Sequence, residues 1–70
     1  MTTQQLKTLN KGDKFCKVKA SDGTVTRSVY TYQGYNELAG KYEYFHAHKR
    51  RWFESRTGTM IVTTDLNNIP

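Results

Sequence analysis

The chain has 70 residues, 36% of them hydrophobic, one cysteine, and eleven Lys and Arg against six Asp and Glu, a net charge of +5 with pI near 9.6. One small domain of this length buries only about 60% of the surface its unfolded form exposes; a lone Cys16 excludes an intrachain disulfide, and no run approaches the ~20 apolar residues of a membrane helix. The basic balance, six cations against two acids in residues 1–35 and five against four in residues 36–70, favours phosphate backbones or acidic protein faces as partners, although it also serves simple solubility.

The opening Met1-Thr2-Thr3-Gln4-Gln5 is polar and lacks a signal-type apolar stretch. With the unpaired thiol it points to a reducing, cytoplasmic setting. Residues 1–5 are expected to fray. Leu6 and Leu9 share a helical spacing that Gly12-Asp13 ends. The segment from Gln4 to Asn10 therefore reads as a helical turn or two that sets both leucines onto the core as a lid.

From Lys14 to Ala20 the pattern alternates. Asp22-Gly23 then follows as a hairpin signal. A two-residue loop there would pair Ala20 with Val25, Val18 with Arg27, Cys16 with Val29 and Phe15 with Tyr30. Cys16, Val18, Ala20, Val25 and Val29 would then form the core face, with Phe15, Lys17, Lys19, Thr26, Ser28 and Tyr30 on the other. Arg27 fits neither face and is expected at a bend or rim.

The second strand runs on through Tyr32, and residues 34–40 read as a loop. Lys41 to His48 forms a third strand with Tyr42, Tyr44, His46 and His48 on one side. Lys49-Arg50-Arg51 reads as an exposed connection, residues 52–56 as a fourth strand, Thr57-Gly58 as a tight turn, and residues 59–64 as a β-branched fifth. Asp65 to Asn68 closes the domain and Ile69-Pro70 frays. Five short strands in one all-β domain, residues 1–70, suit an SH3-like barrel or a strongly bent antiparallel sheet.

Leu6-Lys7-Thr8-Leu9-Asn10-Lys11-Gly12-Asp13-Lys14-Phe15, with Val29-Tyr30 and Lys41-Tyr42 behind it, resembles short bacterial proteins, many on mobile elements, that open L-K-x-L-x-x-G-D-x-F. The resemblance covers about the first 45 positions. It implies a small β fold and supplies no established activity. The segment from Lys49 to Arg56 departs from it.

Three constellations carry possible chemistry. Five Tyr, three Phe and one Trp are many for so small a core. If the third strand pairs Tyr30 with Tyr44 and Tyr32 with Tyr42, these four tyrosines form a ladder with Lys17 and Lys19 beside it. Tyrosine suits a protein-docking face, stacked bases, or plain cross-strand stabilisation. Lys49, Arg50, Arg51 and Trp52, with Arg56 beyond, could clamp phosphates and stack a base, or form a solvated loop. His46-x-His48 offers two imidazoles on one strand side, which do not make a closed metal site.

No nucleophile elbow, glycine-rich phosphate loop or paired-cysteine motif is present, and Cys16 in an apolar strand would be inert. The sequence therefore favours a non-enzymatic module without cofactor. It would bind a protein through its tyrosine face, with nucleic acid as the alternative ligand and self-association through a strand edge as a third course.

Overall fold

In the computed structural model, which describes residues 2–66, a single antiparallel sheet accounts for nearly all regular structure. Its strands are β1 (Gln4–Gln5), β2 (Lys14–Val18), β3 (Val25–Asn36), β4 (Lys41–His46), β5 (Arg51–Ser55) and β6 (Ile61–Thr63), with a 3₁₀ turn over Leu6–Thr8. The order across the sheet is β1-β6-β2-β3-β4-β5. The all-β expectation with a short N-terminal helical turn is correct. The sheet stays open with β1 and β5 as its edges, so it is not a closed barrel, and it has six strands rather than five.

The sixth strand comes from the segment expected to fray. Gln4 pairs with Val62 and Gln5 with Ile61, and the Thr63 hydroxyl donates to the Thr2 carbonyl at 2.7 Å. The chain then turns so that Leu6 and Lys7 donate to the Met60 and Gly58 carbonyls, each at 2.9 Å. Leu6 and Leu9 are buried, as a lid requires. Residues 10–13 dock on the middle of β3, where Gly12 donates to the Tyr32 carbonyl and Tyr32 to the Asp13 carbonyl, both at 2.8 Å. The expected closing turn at Asn67 and Asn68 and the fraying of Ile69-Pro70 lie outside the described residues.

The β2–β3 hairpin is half as expected. Phe15 faces Tyr30 and Cys16 faces Val29, but Val18 faces Val25. The loop is longer than Asp22-Gly23, because the Lys19 N–H already closes on the Thr24 carbonyl at 2.8 Å. The Asp22 carboxylate accepts the Thr24 N–H at 2.9 Å, and Gly23 takes φ +74°. That turn leaves β3 with two residues too many between Val25 and Val29, and Arg27 falls in this irregularity, exposed.

A second irregularity follows Tyr32. Tyr32 faces Tyr44 and Thr31 faces Phe45, whereas Tyr35 faces Tyr42 beyond the slip at Gln33. Gly34 supplies φ +94° there, a common role for glycine within a strand. The expected pairs Tyr30–Tyr44 and Tyr32–Tyr42 are therefore displaced by two residues.

The core lies on the face opposite to the one expected. It comprises Leu6, Leu9, Phe15, Tyr30, Tyr32, Tyr44 and Val62, with Tyr42, Phe53 and Met60 packed against it. Of the five residues assigned to the core by alternation, only Cys16 is buried; Val18, Val25 and Val29 are half-buried and Ala20 is exposed. Aromatic rings decide this, since each can bury 150–250 Å² (an order-of-magnitude range), more than the short valine and alanine side chains opposite. Phe15 stacks on Tyr30 at 5.6 Å, and Tyr44 on Phe53 at 5.4 Å.

Candidate functional site

The tyrosine ladder is interior. Tyr30, Tyr32 and Tyr44 are only 4–8% exposed, and burial raises the phenols of Tyr32 and Tyr44 above their ordinary range, with Tyr42 nearby adding to the shift of Tyr32. Three of the four proposed docking tyrosines are therefore corrected to core residues. Tyr42 is half-buried and meets the Tyr35 ring at a tilt, 4.7 Å between centroids. Lys17 belongs to the same face. Its ammonium lies 4.9, 5.2 and 5.1 Å from the Tyr30, Tyr44 and Phe53 rings, so its stem and charge cover the aromatic cluster.

The opposite face is the open one. There a row of cross-strand partners runs Lys14, Thr31, Phe45, Trp52 over β2, β3, β4 and β5. Phe45 and Trp52 meet at 5.0 Å, and Trp52 is 60% exposed. Trp52 thus stands in solvent with one side of its ring against the half-buried Phe45. Further along the same face Glu43 sits opposite Glu54, and Glu54 pairs with Lys41 at 2.8 Å. The face is thus acidic toward the β3–β4 turn and free of acid around Phe45 and Trp52.

Beside the aromatic pair lies a groove of about 480 Å³. Val29, Thr31 and Ala47 give it apolar surface, and Lys14, Arg27 and Lys49 bring cations from β2, β3 and the β4–β5 turn. No carboxylate lines it, and among the described residues none of the three cations forms an ion pair. Its volume falls within the roughly 300–1,000 Å³ typical of small-molecule sites.

His46 and His48 also line this groove. His46 ends β4, so the expected two-imidazole strand face stops there; the rings are 6.3 Å apart and tilted. The Lys49 backbone N–H donates to His46 Nδ1 at 3.1 Å. No group of three or more His, Cys, Asp or Glu able to hold a metal occurs among the described residues. Cys16 is a buried free thiol whose pKa burial raises.

The Lys49-Arg50-Arg51-Trp52 run is split by strand alternation. Lys49 lines the groove and Trp52 stands on the same face, while Arg51 faces His46 on the core side of the sheet. Arg50 occupies the turn with φ +52°, a left-handed conformation unusual for a side chain. Arg56 follows the far end of β5, and Lys19 lies in the β2–β3 loop, both exposed. Neither lines the groove.

Sequence reasoning missed Phe45 as the neighbour of Trp52, and Lys14 and Arg27 as companions of Lys49 in the groove. The Phe45 signal was available, since it alternates with the tyrosines of β4. Arg27 required the β3 irregularity to be known. No protein-family model, curated protein or solved structure matches the chain, and no helix among the described residues is long and apolar enough to cross a membrane.

Proposed function

We propose that the chain is a non-catalytic module that binds single-stranded nucleic acid on the sheet face bearing Phe45 and Trp52. The observation that carries this reading is the exposed Trp52 against the half-buried Phe45, near a groove lined by three cations and no acid, none of the cations ion-paired among the described residues. Bases stack on aromatic rings regardless of sequence, and neighbouring cations hold the backbone. A single strand fits better than a duplex, whose bases are already stacked on one another. Docking of a protein on the tyrosine face loses its support, because three of those rings are covered.

Trp52 is the chain's one tryptophan, so its own fluorescence reports stacking. Titration with a short labelled oligodeoxynucleotide is expected to quench that emission and to raise the oligonucleotide's anisotropy in parallel. Three cationic contacts predict a salt slope of roughly −2 on a log–log plot. Trp52→Ala is expected to weaken binding by about 5–150-fold, the equivalent of ~1–3 kcal/mol per stacked base. Arg51→Ala, on the other face, is expected to change affinity little beyond a small electrostatic loss. Binding that leaves the Trp52 emission unaltered, or no binding at low salt, defeats the proposal.

A further inference from the structure

Resting on that reading, we infer that the groove is a subsite for a phosphate monoester, the terminal phosphate of a strand whose adjacent base lies on the Phe45–Trp52 pair. Thr31 joins the two parts: it lines the groove and is the cross-strand partner of Phe45.

His46 supplies the sharper argument. It is 3% exposed, and its Nδ1 accepts the Lys49 N–H, so Nδ1 carries a lone pair and the neutral ring holds its hydrogen on Nε2. Nε2 is buried and has no hydrogen-bond partner among the described residues. A buried donor without an acceptor costs about 1–3 kcal/mol, and such groups in native proteins call for an explanation. The perpendicular Tyr30 ring at 4.8 Å is a weak acceptor for it. A phosphate oxygen is a strong one, and to reach it the ring, which lines the groove, has to bring Nε2 out of its buried position.

The surrounding charge selects the same ligand. Lys14, Arg27 and Lys49 come from three separate segments, and among the described residues none is neutralised by a carboxylate. An internal phosphodiester offers one charge and two free oxygens. A monoester offers three oxygens and up to two charges, which matches three cations and one N–H donor. Arg27 reaches the groove through the irregular β2–β3 pairing, and such irregularities re-aim side chains beside functional sites.

The test compares one short oligonucleotide ending in a 5′-phosphate, a 3′-phosphate or hydroxyls only, and adds the mononucleotide and inorganic phosphate as separate probes. One phosphorylated end is expected to bind roughly tenfold more tightly than the hydroxyl form. Arg27→Gln, at an exposed position, is expected to erase that difference between the three ends, and to weaken the hydroxyl form only by the loss of one of its three cationic contacts. Nitrogen-15 spectra are expected to show a shift of His46 Nε2 with the phosphorylated strand. Comparable affinity and shift with the mononucleotide would identify a free nucleotide as the source of the same monoester and overturn the strand-end assignment. Equal binding of all three strands, with quenching retained, overturns the subsite and leaves the stacking surface standing. A His46 shift with inorganic phosphate but no quenching by any strand keeps an anion site and removes the nucleic-acid reading.

Discussion

The Cβ that Gly58 lacks would sit 2.7 Å from the Lys7 Cβ and 2.9 Å from the Tyr42 ring, at a backbone φ of +65°. The same residue accepts the Lys7 N–H at 2.9 Å and donates to the Ser55 hydroxyl at 3.1 Å. It therefore fastens the 3₁₀ turn to the loop between β5 and β6, and a side chain there meets both a left-handed backbone penalty and a clash. Gly58→Ala is expected to cost about 2–4 kcal/mol, read as a fall in the urea midpoint. An unchanged midpoint would mean that the loop moves aside freely. Lys17 teaches a different lesson at this scale. Its charge argues for solvent or a ligand, yet alternation with Phe15 puts it over the aromatic cluster. Residue type alone misplaces it, because a long cationic side chain can cover a ring and still keep its head wet.

Single residues of this kind matter because the elements they join are short. The 3₁₀ turn spans three residues, and its stability comes from Leu6 packed on the sheet rather than from its own bonds. Leu6→Ala is expected to remove about 2–5 kcal/mol, as much as the roughly 3–5 kcal/mol a core of this size supplies. Loss of near-ultraviolet circular dichroism at 25 °C is the expected result; retention of a cooperative melt near that of the parent would show that the lid is dispensable. The lid was legible in the spacing of Leu6 and Leu9, and five of the six strands, β2 to β6, were legible in alternation and β-branched content. The face of the core was not, because Tyr and Phe on one side compete with Cys and Val on the other and the larger rings win. Nor were the two register irregularities. The first follows from a loop longer than its Asp-Gly signal implies and changes the partner of Val18 while Phe15–Tyr30 and Cys16–Val29 keep theirs; the second falls at Gly34 and sets Tyr32 opposite Tyr44 but Tyr35 opposite Tyr42. The candidate site inherits that illegibility: Trp52 and Lys49 could be named from their run, but their grouping with Phe45, Lys14 and Arg27 depends on the register.

At the scale of the whole molecule, one face of the sheet carries the aromatic core and the other is open around Phe45 and Trp52 though closed at Cys16 and Thr63, and alkaline titration reports the buried groups. Burial lifts the phenols of Tyr44 and Tyr32 above the ordinary value of about 10, as it lifts the Cys16 thiol above 9. Each group holds its proton more firmly folded than unfolded. Above those ordinary values the unfolded chain therefore binds fewer protons than the native one, and stability falls as pH rises. The contribution is complete below about pH 9, begins to fade there through Cys16, and fades further above pH 10 through the tyrosines. Urea midpoints between pH 8 and 11.5 are expected to stay level and then drop, and Tyr44→Phe is expected to shallow the drop. Tyrosines on a docking surface would ionise near 10 without that penalty, so a flat profile would return the tyrosine face to solvent and reopen it as a binding surface. Trp52→Ala is expected to leave the alkaline limb in place, because its ring packs on Phe45 across the sheet from the buried phenols. A variant that loses oligonucleotide binding and keeps the alkaline limb thus separates the face that recognises from the face that folds.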